Sequence, residues 1–235
     1  MLYLIGMGFE EKDITLKGIE AAKSCDEVFC ELYTSSWLGR IEKLEEIIGK
    51  KIRRVGRKDL EEELENFLES VKNRNVALLV PGDPLVATTH SAILVEAEKI
   101  GIKTEVIHAP SIFSAIAECG LHVYKFGKSA TIPETMQLEH VKNAIEINRK
   151  HALHTLLLLD VRMPAERALE ELAKRGLVKK SERVVVASRI GTEKSKIMFS
   201  EVENLLRERF PEPSVIVIPG ELHFTEREFL KRYEL

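Results

Sequence analysis

Val76-Ala-Leu-Leu-Val-Pro-Gly-Asp-Pro-Leu-Val-Ala-Thr-Thr-His-Ser-Ala-Ile93 reads as a five-residue apolar strand, a rigid turn and the start of a helix. Pro81 and Pro84 fix their own φ angles, Gly82 lets the backbone pass close to a bound group, and Asp83 is left as a charge at the carboxyl edge of a sheet. Open α/β sheets bind their ligands at that edge. Pro, Gly and Asp are also the commonest residues of an ordinary turn, so the turn chemistry alone leaves a plain βα connection open.

A second strand and turn stand at the start, where Leu2-Tyr-Leu-Ile5 runs into Gly6-Met-Gly-Phe9 and a helix start at Asp13-Ile-Thr-Leu16. The dinucleotide fingerprint G-x-G-x-x-G fails here because position 11 is Glu, which argues against a nicotinamide or flavin site. Strands near 27–30, 76–80 and 104–108 alternate with helices near 40–48, 59–71 and 88–100, the βα pattern of a parallel sheet. In the acidic 59–72 segment, Leu60, Leu64, Phe67, Leu68 and Val71 form the buried stripe of a solvated helix. Ala109-Pro-Ser-Ile112 then turns the strand at 104–108 into a new helix, with Ser111 placed as its N-cap. Three strand ends, at 6–9, 81–86 and 110–112, thus finish in loops suited to one ligand at one sheet edge.

The second half changes character. Strands are expected at 130–132, 155–159, 183–188, 196–199 and 214–218, with helices near 140–150, 165–174 and 202–208. The pair 183–188 and 196–199, joined across Gly191-Thr-Glu193, reads as a hairpin, which a purely parallel sheet would not contain. The expected division is an N-terminal α/β domain over 1–110 carrying the Gly-Asp-Pro loop and a mixed α/β domain over 111–235.

The chain has 235 residues, 44% of them apolar, with 35 basic against 38 acidic residues and a net charge of −3. That balance shows no basic run of the kind that tracks a phosphate backbone, so no nucleic-acid partner is expected. Cys25, Cys30 and Cys119 form no C-x-x-C pair, so a disulfide framework or cysteine zinc site is not indicated and a reducing, cytoplasmic setting fits. The N-terminus lacks a secretion signature, and no apolar run approaches the ~18 residues that would span a bilayer.

His151 and His154 stand three apart, but they border a strand and have no ligand partner in sequence reach, so no metal is expected. Lys125 and Lys128 flank Phe126-Gly127 and suit either an acidic substrate or plain solvation. Trp37 fits a cleft cover or a packed rim equally well.

Taken together, Leu2–Gly8 with Asp13-Ile-Thr15, Glu31-Leu-Tyr-Thr-Ser35, Pro81–His90, His108-Ala-Pro-Ser-Ile112, Gly120-Leu-His122, Tyr124–Thr131, Leu153-His-Thr155, Leu158-Leu-Asp160 and Val217-Ile-Pro-Gly220 carry a resemblance over almost the whole chain. It resembles the diphthamide-pathway branch of the tetrapyrrole methylase family, S-adenosylmethionine-dependent methyltransferases of archaeal type. The Gly-Asp-Pro turn marks the wider family. Thr88-Thr-His90, His108–Ile112 and Tyr124-Lys-Phe-Gly127 point to the diphthine branch.

The resemblance implies a two-domain α/β fold with S-adenosylmethionine in the cleft between domains, and a homodimer. It implies cofactor contacts from Phe9, Asp83, Val86, Ser111 and Ile112, and from Leu159, Ile190 and Ser214 in the second domain. The implied reaction places three methyl groups, and no ester, on the amine of a 3-amino-3-carboxypropyl histidine of translation elongation factor 2. Such a site needs no nucleophile, because a sulfonium methyl is already activated and the protein mainly aligns the reactants. The amine, with a lysine-like reference pKa of ~10.4, must still lose a proton. Asp83, His90, His108 and Asp160 all qualify as acceptors by residue type, and the sequence assigns none of them.

The chain departs from the resembled pattern at 133–142, where a longer aromatic loop is replaced by Pro133-Glu-Thr-Met-Gln-Leu-Glu-His-Val-Lys142, and at Ala152, where a glycine is expected. These changes bear on how a protein substrate is held. The alternatives are a same-fold methyltransferase acting on a tetrapyrrole or ribosomal RNA, and a non-catalytic regulator that binds the same cofactor.

Overall fold

All five side chains of the strand Val76–Val80 are buried, and they divide by parity. Ala77 and Leu79 join an apolar cluster with Ile5, Met7, Val28 and Ile107, while Val76, Leu78 and Val80 join another with Leu2, Leu4, Phe29 and Phe67. A strand covered on both faces has no polar side, which is why its sequence is one continuous apolar run. The computed structural model describes residues 1–235 as two units, Met1–Ile112 and Phe113–Leu235.

In the first unit β1 (Leu2–Gly6), β2 (Glu27–Cys30), β3 (Ile52–Arg54), β4 (Val76–Val80) and β5 (Thr104–Ile107) form a wholly parallel sheet in the order β3-β2-β4-β1-β5. The helices are α1 (Leu16–Ser24), α2 (Ile41–Ile48), α3 (Leu64–Val71) and α4 (Ser91–Lys99), and a short α5 (Ile112–Ala115) follows β5. From β1 the chain crosses β4 to reach β2; from β4 it crosses β1 to reach β5. The direction of winding therefore reverses around β1 and β4, and ligands bind outside the carboxyl ends of strands at such a point.

Three local expectations differ from the structure. The segment expected as one helix over 59–71 is a π-helical turn, Lys58–Glu62, followed by α3, with the break at Glu63 (φ −116°, ψ 31°). Leu60, Phe67, Leu68 and Val71 are nonetheless buried together. Helix α4 begins at Ser91 rather than at 88, because Ala87 has a left-handed φ of 56° and the Thr88 hydroxyl bonds the Pro84 carbonyl at 2.6 Å, which holds the segment in a turn. Strand β3 went unread: Ile52 is buried but Arg53 and Arg54 are exposed, too little alternation to signal an edge strand.

The second unit is a mixed sheet of β6 (Ala130–Ile132), β7 (Thr155–Leu159), β8 (Arg183–Ser188), β9 (Lys196–Glu201) and β10 (Ser214–Ile218), in the order β6-β7-β10-β8-β9. Only β6 and β7 run parallel; β8 and β9 form the expected hairpin, with Arg183 opposite Glu201 and Ser188 opposite Lys196. Strand β9 thus runs two residues beyond its expected end. Helices α6 (Glu139–Lys150), α7 (Ala165–Lys174), α8 (Val202–Leu205) and α9 (Phe224–Leu230) complete the unit, α8 being shorter than the expected 202–208. Apolar residues of α6, α7 and α8 pack with Ile132, Leu157, Val184, Val186, Met198 and Ile216 of the sheet in one core.

Candidate functional site

The carboxyl ends of β1, β4 and β5 are drawn together by backbone contacts before any side chain is considered. Gly8 and Gly82 exchange two hydrogen bonds, Gly8 N–H to Gly82 O at 3.1 Å and Gly82 N–H to Gly8 O at 2.8 Å. Gly6 at the end of β1 admits no side chain: a Cβ there would lie 2.6 Å from the Gly82 carbonyl oxygen and 2.7 Å from the Ala109 Cβ. Gly82 is different. Its φ is +65°, and a Cβ on it would meet nothing nearer than the Pro110 carbonyl oxygen at 3.9 Å, so this turn has open space beside its backbone.

Asp83 locks the arrangement. Its carboxylate is buried and accepts from Leu85 N–H at 3.1 Å within its own turn and from Ala109 N–H at 3.3 Å in the loop after β5. The same Oδ2 lies 2.7 Å from Nδ1 of His108, whose side chain is 70% exposed. Phe9 stands in the loop after β1, where its N–H and that of Glu10 each donate to Asp13 Oδ2 at 2.9 Å. Val86 is half-buried beyond the Gly-Asp-Pro turn, Ser111 is buried and Ile112 opens α5. The structure brings these five residues to the same edge of the first sheet.

A second buried group lies under this edge. Glu31, fully buried just after β2, accepts from the N–H groups of Tyr33 at 2.9 Å and Thr34 at 3.1 Å and from the Thr34 hydroxyl. His90, 1% exposed, has Nε2 at 3.8 Å from Glu31 Oε1, beyond hydrogen-bonding range. Burial lowers the His90 pKa against the pull of Glu31, so the ring is neutral. Trp37 is half-buried and packed: it lies against the cluster of Ile5 and Met7 and leaves no room for a side chain on Gly39.

In the second unit Leu159 ends β7, Ile190 lies two residues beyond β8, and Ser214 begins β10. Because β10 runs antiparallel to both neighbours, with Val215 opposite Leu158 and Ser214 opposite Ser188, these three residues gather at one end of the second sheet. Asp160 joins two loops, accepting from Val161 N–H at 2.8 Å beside it and from Glu134 N–H at 3.1 Å after β6.

Sequence reasoning missed Glu226. This fully buried carboxylate accepts from His122 N–H at 2.8 Å, His223 N–H at 2.7 Å, His154 Nε2 at 3.0 Å and the Lys125 ammonium. Burial alone would raise its pKa, but Lys125 and the two backbone N–H groups outweigh that and hold it at about 2. The sequence carries no signal for it: a capping box is legible as Ser or Thr three residues before Glu, and the one at the start of α9 is formed by His223 and Glu226. Lys125, which also donates to Glu221 O at 2.6 Å, is thereby committed inside the protein, while Lys128 stays exposed. His151 is exposed and His154 buried, so the two do not share a site.

The family model for Tetrapyrrole (Corrin/Porphyrin) Methylases matches residues 1–206. The chain is 42% identical to a diphthine synthase of Archaeoglobus fulgidus, covering 99% of this chain and 95% of that one. It is 39% identical to a diphthine synthase of Methanocaldococcus jannaschii over 98% of each. A crystal structure of diphthine synthase superposes with a TM-score of 0.93 at 42% identity, covering 99% of this chain and 95% of the other.

Proposed function

The chain belongs to the tetrapyrrole methylase family, and on that premise we infer that it is an S-adenosylmethionine-dependent N-methyltransferase that forms diphthine in diphthamide biosynthesis. It trimethylates the amino group of the 3-amino-3-carboxypropyl histidine on translation elongation factor 2. One observation carries this reading: the likeness to diphthine synthases extends over the whole chain and both units rather than over the Gly-Asp-Pro turn alone.

The residues at the first sheet edge fit the cofactor. The open side of Gly82 gives room for close approach, and the buried Asp83 supplies a negative charge suited to a cationic ligand. Phe9, Asp83, Val86, Ser111 and Ile112, with Leu159, Ile190 and Ser214, would hold it. When bound, S-adenosylmethionine supplies a methyl group on a sulfonium that needs no further activation. What remains for the protein is to orient the amine, exclude water and receive a proton. Asp83 serves twice in this scheme, since the carboxylate that would face the cofactor also fixes the loops after β4 and β5.

The protein works as a cytoplasmic homodimer, and none of its helices is long and apolar enough to cross a membrane. Mass spectrometry of elongation factor 2 bearing the unmethylated precursor, incubated with this protein and S-adenosylmethionine, tests the assignment. Three added methyl groups on the modified histidine are expected; none, with the cofactor still bound, would overturn it.

A further inference from the structure

We propose that His108 is the general base of the reaction, its Nε2 taking the proton from the substrate ammonium while Asp83 holds the ring. The inference rests on the methyltransferase reading above and concerns a role that the sequence left open among four residues.

The stoichiometry sets what the base must do. An alkyl ammonium has no lone pair, so it must give up a proton before it can be methylated. As the nitrogen–carbon bond forms, the carbon–sulfur bond breaks and its electron pair stays on sulfur, leaving a methylated nitrogen that is again a protonated ammonium. The cycle repeats until the third transfer gives a quaternary centre with no proton to lose. Three methyl groups therefore release three protons, so the acceptor has to reach both the reacting nitrogen and bulk water between turns.

Only one of the four candidates has that combination. Asp83 is buried, and its oxygens already accept from Leu85 N–H, Ala109 N–H and His108. Both oxygens of Asp160 already accept from backbone N–H groups, Val161 beside it and Glu134 in the loop after β6. His90 is 1% exposed beneath the loop and has no route to solvent. His108 has an exposed side chain on the loop after β5, at the sheet edge that carries Asp83, Ser111 and Ile112.

The contact with Asp83 also prepares the ring chemically. Its Oδ2 is a carboxylate oxygen and can only accept, so the 2.7 Å contact requires the hydrogen on Nδ1. In the neutral ring that leaves Nε2 with the bare lone pair, able to take a proton, while the carboxylate fixes the ring's tautomer and orientation. Asp83 thus acts on the proton through His108 as a positioning residue.

Two measurements test this. Long-range 1H–15N correlation spectra of the wild-type protein should show His108 with hydrogen on Nδ1 and a bare Nε2; the opposite tautomer would overturn the proposal without any assay of turnover. His108→Asn keeps a donor near the Nδ1 position and removes Nε2. It should bind S-adenosylmethionine within about threefold of wild type while kcat on precursor-bearing elongation factor 2 falls about 100-fold or more. Added imidazole should restore part of the rate, and the variant's rate should climb at alkaline pH as the amine deprotonates unaided. An active wild type with an H108N variant of unchanged kcat and pH profile would overturn the base assignment alone. A wild type that methylates nothing would overturn the function and this role with it.

Discussion

Nε2 of His154 donates to Oε1 of Glu226 at 3.0 Å, joining residues 72 apart in the chain with neither side chain exposed. The tautomer is fixed from the other side, because Nδ1 accepts from Gly220 N–H at 2.8 Å and must therefore carry no hydrogen. Around this pair the loops at 120–128, 151–155 and 219–223 close on the start of α9. Four second-half segments that carry the resemblance, Gly120-Leu-His122, Tyr124-Lys-Phe-Gly127, Leu153-His-Thr155 and Val217-Ile-Pro-Gly220, thus each have a member on this pair: His122, Lys125 and His154 bond the carboxylate and Gly220 bonds the ring.

Replacing that carboxylate should be costly. Glu226→Ala leaves His154 Nε2–H, two backbone N–H groups and Lys125 without their acceptor, and breaking such a buried pair costs about 3 kcal/mol or more. Urea denaturation of E226A beside Glu226→Gln, which keeps the shape, checks it; a loss under about 1 kcal/mol would mean that water replaces the network.

The pH dependence of stability follows from the same groups. His154 is held neutral by burial, below its ordinary value of 6.5, so as pH falls through about 6.5 the unfolded chain binds a proton that the fold refuses, and stability drops. Glu226, depressed to about 2, contributes stability above its unfolded value near ~4.3 that is lost as pH falls toward about 2. Urea midpoints at pH 8, 6 and 5 should therefore decline, and His154→Asn should flatten the slope. An unchanged slope would remove His154 from the explanation.

Gly6→Ala should disrupt the first sheet edge. Its new Cβ would lie 2.6 Å from a backbone oxygen that cannot swing away, so the turns after β1 and β4 must separate, at a cost of about 1–3 kcal/mol. Weaker S-adenosylmethionine binding should accompany the loss. Ala109→Gly in the same chain removes one of the two clashes, and calorimetry of the double variant should show partial recovery; none would indicate that the Gly82 contact alone sets the cost.

The cysteines should be unreactive in the folded protein. Cys25, Cys30 and Cys119 are all buried, and burial raises the thiols of Cys30 and Cys119 to about 11, leaving little thiolate at neutral pH. Iodoacetamide at neutral pH should label none of the three before denaturant is added and all three afterwards, read by intact mass. Rapid labelling of the native protein would show that these sites open.

The sequence by itself determined the βα units of the first half, the hairpin of the second and the family. Those features rest on local periodicity and turn chemistry, so Val76–Val80 and Pro81-Gly-Asp-Pro84 are legible without neighbours. It also placed the candidate cofactor residues on strand ends, because motif positions travel with the strands. The edge strand Ile52–Arg54 escaped for want of a second buried residue. Only the tertiary structure decided which side chains pair. His108 meets Asp83 because β4 and β5 flank β1, and His154 meets Glu226 because the chain's last helix returns to the loop before β7. Pairing across 25 and 72 residues depends on strand order and register, which are cooperative properties of the whole sheet and leave no mark on local sequence.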